Sequence, residues 1–155
     1  MKTRSILYAL AFCLCAGLAA YAADNPNVGS WKLNEDKSKV PAGAAKNTSV
    51  TYTMEGDSYK CVVEGTGADG QPTHNEWMGK FDGKDYAVSG DPGADMRAIR
   101  QTSDDHHYKL TQKKDGKTVG SGTIVLSPDG MNRTVKITTS AGGKKMTSSM
   151  MYDKQ

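Results

Sequence analysis

The sequence is poor in cysteine and in large aliphatic residues once its first 22 residues are set aside. Cys61 is the one cysteine that remains, so no disulfide can form within that part of the chain. Stability must then come from packing and hydrogen bonding, and we interpret Cys61 as a small buried hydrophobic residue rather than a nucleophile. Leu, Ile, Val and Phe supply 16 of the 133 residues after Ala22, about 12%, a share that is typical of disordered chains.

An excess of charge and a helical periodicity are also missing. The chain has 20 Lys and Arg against 17 Asp and Glu, and two of the basic residues lie within the first four positions. Disorder usually combines low hydrophobicity with high net charge, so the near-neutral balance favours a folded protein with a thin core. The 13 Thr, 5 Tyr and 2 Trp that follow Ala22 are typical of β-sheets. No basic stripe indicates nucleic acid binding and no amphipathic helix indicates a membrane surface.

The N-terminal segment has the pattern of a secretion signal. A basic start, Met1–Arg4, precedes an almost wholly apolar run, Ser5–Ala20, and a small-x-small cleavage pattern follows at Ala20–Ala22. This order predicts a Sec signal peptide over residues 1–22 that is cleaved, and one domain over residues 23–155. The apolar run is shorter than the roughly 20 residues that span a bilayer. We therefore expect an exported protein, periplasmic or secreted, without stable membrane insertion and monomeric.

Turn signals divide the rest of the chain at intervals of about 10 to 14 residues. They stand at Gly56-Asp57, Asp69-Gly70, Asp82-Gly83, Gly90 to Asp95, Ser103 to Asp105, Asp115-Gly116, Asp129-Gly130 and Gly142-Gly143. Asp-Gly pairs suit two-residue hairpins, in which both central residues need positive φ. Such regular spacing predicts an all-β meander rather than βαβ units.

Apolar and polar residues alternate between these turns. In TSVTYTM, for example, Val50, Tyr52 and Met54 share one face, and period two is the strand signature. About ten strands are predicted, over 30–34, 48–54, 58–65, 73–81, 84–89, 95–102, 106–113, 117–127, 132–139 and 144–153. The connection 35–47 is the long one; its first part is predicted to form a helical turn, which Pro41 and Gly43 end.

Ten meandering strands avoid long exposed edges by closing into an up-and-down barrel. An antiparallel barrel of 8–10 strands is therefore the predicted fold, and a two-sheet β-sandwich is the alternative. A barrel of this size has an interior that so few large aliphatic residues cannot fill. A cavity that holds a ligand, water or both is expected.

The segment GSWKL, Gly29–Leu33, resembles the Gly-x-Trp opening of the calycins, the lipocalin and fatty-acid-binding barrels. More extensively, residues 29–155 resemble small exported bacterial proteins of lipocalin-like type that have no established activity. The shared patterns lie at Gly29–Lys39, Phe81–Pro92, Lys113–Gly120 and Tyr152–Gln155. The resemblance implies a β-barrel in which Trp31 on the first strand plugs one end. It implies no ligand class, and no basic pair obviously matches the fatty-acid carboxylate clamp.

Metal and catalytic sites are not indicated. SDDHHY offers two acids and two histidines, but the adjacent His106 and His107 point to opposite faces of a strand and cannot easily share one ion. GSG at 120–122 lacks the strand-to-helix elbow of hydrolases, and no helix follows GTGADG at 65–70 to receive a phosphate. We predict no metal, no cofactor and no enzymatic activity.

A set of aromatic and charged side chains is predicted to line the cavity, namely Tyr52, Trp77, Arg100, Tyr108 and Met150. The aromatic rings offer stacking surface, and Arg100 offers a charge partner for an acid. All of them except Arg100 would equally suit a solid hydrophobic core without a ligand. An error of one residue in the strand register would also turn every side chain to the opposite face of the sheet.

Two functions follow from these patterns. The first is an exported lipocalin-like protein that binds a small apolar or amphipathic molecule, and it requires a cavity of a few hundred Å³. The second is a periplasmic or extracellular protein-interaction or inhibitor module without a small ligand, suggested by the neutral surface rich in Thr and Lys.

Overall fold

A computed structural model describes residues 25–141 and 143–155, so the predicted signal peptide lies outside the described residues. Within these ranges the chain forms ten antiparallel strands and no helix. The strands are β1 Gly29–Lys39, β2 Lys46–Glu55, β3 Ser58–Thr66, β4 Pro72–Gly79, β5 Tyr86–Ser89, β6 Met96–Gln101, β7 His107–Lys114, β8 Lys117–Leu126, β9 Asn132–Ala141 and β10 Lys144–Lys154.

Each strand pairs with its neighbour in sequence, and β1 pairs with β10 to close the sheet into a barrel. The predicted meander barrel is thus confirmed, and the sandwich alternative is wrong. Closure leaves no unpaired edge at the sides of the sheet. No helix long and apolar enough to cross a membrane occurs in the described ranges.

Turn chemistry explains why the chain reverses where it does. In the β7–β8 hairpin Asp115 has φ 49° and Gly116 has φ 74°, the pair of positive φ values that a type I′ turn requires. The backbone amide of Asp115 also donates to Asp95 Oδ2 at 2.8 Å, which ties this turn to the segment that leads into β6.

The first strand is longer than predicted. The helical turn expected at the start of 35–47 is wrong, because β1 runs on to Lys39 through a bulge opposite β10. Ser38 holds this bulge together: its Oγ donates to the carbonyl oxygen of Asn34 at 2.7 Å, and the amide of Met151 donates to Ser38 Oγ at 2.9 Å. Pairing with β10 therefore outweighs the local helical preference of this short segment.

One end of the barrel, here called the N-terminal end, is covered by residues 25–28. Trp31 Nε1 donates to the carbonyl oxygen of Asn27 at 3.0 Å, and Tyr108 on β7 donates to Asn25 Oδ1 at 3.0 Å. Because β1 and β7 are four strands apart in the barrel order, the segment must cross the end. Trp31 is 1% exposed, as a side chain that closes a barrel should be.

Aromatic rings fill this half of the barrel. Phe81, from the β4–β5 loop, stacks on Tyr59 with ring centroids 4.1 Å apart and meets Tyr108 edge-on at 5.0 Å. Trp77 and Tyr52 also approach it, at 6.3 and 5.9 Å. The expectation of an interior too wide for its side chains is therefore wrong for this half, because large rings replace the missing aliphatic residues.

Candidate ligand-binding site in the barrel interior

The other half of the barrel contains a cavity of about 60 Å³. Apolar and aromatic side chains form most of its wall, and the aliphatic ones are Val50, Val63, Ile99, Leu110, Ile124, Val135 and Ile137. A cavity of about 150 Å³ holds benzene, so this one has room for only a few heavy atoms. It is much smaller than the few hundred Å³ that a lipocalin-like ligand requires, so the first of the two functions is compatible with this half only for a ligand, or a part of one, with a few heavy atoms.

Two arginines also line the cavity, Arg133 on β9 and Arg97 on β6. Both are buried, with 3% and 6% of their surface exposed. Arginine is almost never this buried unless it is paired, because removing a charge from water costs several kcal/mol. The partners of each guanidinium therefore decide what the site can do.

Arg133 is held by aromatic rings and one amide. Its Cζ lies 5.5 Å from the ring centroid of Trp31, 5.3 Å from that of Tyr52 and 5.5 Å from that of Tyr152. Its Nη1 donates to Asn27 Oδ1 at 3.1 Å. The three rings provide cation–π stabilisation, but none of these partners carries a negative charge.

Arg97 is paired differently. Its Nη2 donates to Asn75 Oδ1 at 3.1 Å and lies 3.5 Å from Asp91 Oδ2. Its backbone carbonyl oxygen accepts a hydrogen bond from Trp77 Nε1 at 3.0 Å, which fixes β6 against the aromatic half. Arg97 thus has a carboxylate partner, although a weakly bonded one.

The other titratable groups on the cavity wall are neutral at ordinary pH. Burial raises the pKa of the Tyr52 hydroxyl above its usual range, and it raises the pKa of Tyr152 to about 12 against the opposing field of Arg133. Burial also raises the pKa of the Cys61 thiol, against the field of Arg97. Cys61 is 1% exposed, which agrees with its interpretation as a buried hydrophobic residue.

The structure places the five predicted cavity residues in three different environments. Tyr52 and Met150 line the cavity, whereas Trp77 and Tyr108 are buried in the aromatic core beside it. The placement of Arg100 in the interior is wrong: it is exposed, and the inward arginine of β6 is Arg97.

Arg97 and Arg133 were both missed, although the alternation contained a signal for each. Arg97 stands two residues before Ile99, and Arg133 two residues before Val135, so each shares a face with a core residue. Arginine is almost never buried unless it is paired, and the partners of both arginines lie on other segments, so alternation alone does not single out either position.

The SDDHHY segment forms the turn before β7, and β7 itself begins at His107. Possible ligand atoms of Asp104, Asp105 and His106 lie within 4.8 Å of one another. The carboxylates are already engaged, because Asp104 Oδ1 interacts with His107 Nδ1 at 2.7 Å and Asp105 Oδ1 with His106 Nδ1 at 2.8 Å. Hydrogen bonds within the turn account for this cluster.

Comparison with known proteins adds nothing to the geometry: no family model and no curated protein matches the chain. The resemblance to small exported lipocalin-like proteins therefore stays a prediction.

Proposed function

We propose that this chain is an exported, lipocalin-like barrel protein that binds a small amphipathic molecule inside the barrel. The observation that carries the proposal is the composition of the cavity wall. Apolar and aromatic side chains form most of the wall, and two buried arginines, Asn47 and Gln112 interrupt it. A pocket that is mainly apolar with a few converging polar groups is typical of small-molecule sites.

The size of the cavity narrows the ligand class. At about 60 Å³, the space suits a molecule, or a part of one, with a few heavy atoms. A wholly apolar occupant would leave the guanidinium groups of Arg97 and Arg133 facing hydrocarbon, which is costly for a charge. Of the two ligand types expected from the sequence, the amphipathic one is therefore favoured.

Binding rather than catalysis is proposed because the wall offers no activated nucleophile. Its thiol, that of Cys61, is buried with a raised pKa, and the side chains that line the cavity include no histidine and no carboxylate. A reactive cysteine needs a lowered pKa and an adjacent base.

Ligand-observed NMR with small molecules of three to six heavy atoms tests this proposal. The set contains propanol, acetamide, acetate and propionate. We expect saturable binding of at least one of them, and native mass spectrometry of protein purified from its host would show whether a larger natural ligand is retained.

A matched pair of variants tests whether the small molecules bind in the cavity. Val135→Ile adds one methylene to the cavity wall, whereas Val125→Ile adds it on β8 at a position that is 38% exposed. We expect the first variant to weaken binding at least fivefold and the second to leave it unchanged. No binding of any probe, or equal effects of both variants, would contradict the proposal.

A further inference from the structure

The charges on the outside of the barrel are unevenly distributed. Five lysines have a carboxylate within 4 Å in the described part of the chain, and every one of these carboxylates lies between residues 35 and 85. Strands β6, β7, β8 and β9 contain no acidic residue. The one acidic residue of β10 is Asp153, whose carboxylate oxygens accept hydrogen bonds from the side-chain amides of Asn34 and Asn132. One side of an almost neutral barrel is therefore cationic.

Strand pairing aligns four of the cations on this side in one row, here called the cationic row. Arg100 on β6 lies directly opposite Lys109 on β7. Each residue of the row pairs with the next one across neighbouring strands, in the order Arg100, Lys109, Thr123, Lys136, Ser149 and Lys39. The four cations stand at distant positions in the sequence, so the fold is what brings them together.

The cationic row has no charge balance of its own. None of its four cations has a carboxylate within 4 Å among the residues that the structure describes, and all four are exposed. Like charges directly opposite each other on paired strands are destabilising, and Arg100 and Lys109 form such a pair. Because both side chains are exposed, packing offers little compensation. An uncompensated row of like charges suits a surface that binds an anionic partner.

The path of the row indicates what kind of anion fits it. The row runs from β6 through β7–β10 to β1, which is five of the ten strand-to-strand steps around the barrel. Neighbouring strands are about 4.8 Å apart, so successive cations are separated by roughly 5 to 10 Å along a curved path. A flat lipid surface or a stiff nucleic acid duplex can touch only part of a path that turns through half of the barrel. A flexible chain of anionic groups can follow all of it.

We propose that the cationic row binds a flexible acidic polysaccharide, which lies across the strands on the outside of the barrel. Its carboxylate or sulfate groups pair with the four cations, and its sugar hydroxyls bond to the polar side chains between them. Thr123 and Ser149 stand within the row, and a second row beside it consists of the hydroxyl side chains of Thr111, Ser121, Thr138 and Thr147. A hydroxyl side chain both donates and accepts hydrogen bonds, as a sugar hydroxyl does.

Two other flexible polyanions fit this face less well. Single-stranded nucleic acid binds by stacking its bases on aromatic side chains, whereas β6–β10 contain no Phe or Trp and their tyrosines, Tyr108 and Tyr152, are buried. An acidic peptide commonly adds a strand to an exposed sheet edge, and the closed barrel leaves no unpaired edge at its sides. A polysaccharide needs neither feature. This inference concerns the outside of the barrel, so it goes beyond the proposed cavity ligand and does not depend on it.

The test compares neutral dextran with two acidic derivatives of the same backbone, carboxymethyl-dextran and dextran sulfate. Isothermal titration at low and at physiological salt is run with each of them, and with polyglutamate, oligothymidylate and phosphatidylglycerol vesicles at equal concentrations of charged groups. We expect at least one acidic dextran to bind about tenfold more tightly than neutral dextran and about threefold more tightly than the three other polyanions. Its affinity should fall as the salt concentration rises, because binding releases counterions.

Each of the other results would overturn the proposal. If neither acidic dextran binds, the row does not take a polysaccharide, and if neutral dextran binds equally well, its charge plays no part. Equal or tighter binding of polyglutamate, oligothymidylate or the vesicles would assign the face to an acidic protein, a nucleic acid or a membrane instead. These comparisons use the wild-type chain and do not depend on the folding of a variant.

Two double variants test whether the cationic row is the binding surface. Lys109→Gln with Lys136→Gln removes two charges from the row and should weaken binding of the acidic dextran about tenfold. Lys60→Gln with Lys80→Gln removes the same charge from the other side of the barrel, where both lysines have carboxylate partners, and should change the affinity less than twofold. If the first double variant does not fold, each of its single substitutions is used, with an expected loss of about threefold. An equal loss in the row variant and the control would mean that only net charge matters and would overturn the proposal.

Discussion

The two halves of the barrel use the same strands but solve the problem of a thin core in different ways. At the N-terminal end, residues 25–28 and the large rings of Trp31, Phe81 and Tyr108 close the interior. In the other half, medium-sized aliphatic side chains leave a cavity of about 60 Å³. The first half is therefore the more densely packed, and the second half keeps the space that we propose as a ligand site.

The two buried arginines also differ between the halves, in the partners of their guanidinium groups. Arg133 lies against the rings of the closed half with an amide partner, and Arg97 lies beside Asn75 and Asp91. Each half thus contributes one buried cation to the wall of the cavity. The proposed ligand site therefore depends on residues from both halves.

The two halves should differ most in the free energy of unfolding that is lost when one side chain in each half is truncated to alanine. Trp31→Ala should lower the free energy of unfolding by about 3–5 kcal/mol, the range for large buried aromatic residues. Met150→Ala should lower it by about 2 kcal/mol, the low end of its range, because Met150 already borders empty space. Urea denaturation of both variants measures this, and equal costs would contradict the distinction between a filled and a hollow half.

The stability of the protein at high pH tests the cavity wall through Tyr152. In the unfolded chain the Tyr152 hydroxyl has a pKa near 10, and burial raises it to about 12 in the fold. The folded state therefore holds its proton longer, so this contribution to stability is complete below pH 10 and is lost as the pH rises towards 12. The difference corresponds to roughly 3 kcal/mol.

Tyr152→Phe separates this effect from the hydrogen bond that the hydroxyl donates to the carbonyl oxygen of Asn47 at 3.1 Å. The variant should be about 1 kcal/mol less stable at pH 8. Between pH 10 and 12 it should lose less stability than the wild type, as measured by urea denaturation at each pH. A variant that follows the wild-type slope would show that Tyr152 ionises freely in the fold.

Smaller effects than the loss of Trp31 are expected from truncating the amides that hold the arginines. Asn27→Ala removes the side-chain acceptor of Arg133 and should cost about 2 kcal/mol, because a buried charged donor is left unsatisfied. Asn75→Ala should cost about 1 kcal/mol, since Arg97 keeps Asp91. Thermal unfolding of the two variants side by side gives the order, and the reverse order would mean that the carboxylate contributes little to Arg97.

The sequence was informative about the strands because turns and alternation are local. Asp115-Gly116 marks a hairpin by its own backbone preference. The face predicted for Val50 and Tyr52 is confirmed by their burial, whereas Met54, predicted on the same face, is 51% exposed at the end of β2. The β1 bulge was missed because its stabilising contact, between Ser38 and Met151, joins residues far apart in the chain.

The site was less predictable than the fold for the same reason. Arg97 and Arg100 look alike in the sequence, and what permits Arg97 to be buried is Asn75 and Asp91 on other segments. The size of the cavity likewise depends on how side chains from several strands meet, which alternation does not specify.

The pairing of β1 with β10 has a consequence for the order of folding. Trp31 faces Lys154 across this pair, and Lys154 Nζ donates to the carbonyl oxygen of Pro26 at 3.1 Å. The contacts that complete the wall thus join the first and last described segments, the longest sequence separation among the described residues, and such contacts form slowly. The hairpins can form one after another from local contacts, but the ring cannot close until β10 pairs with β1.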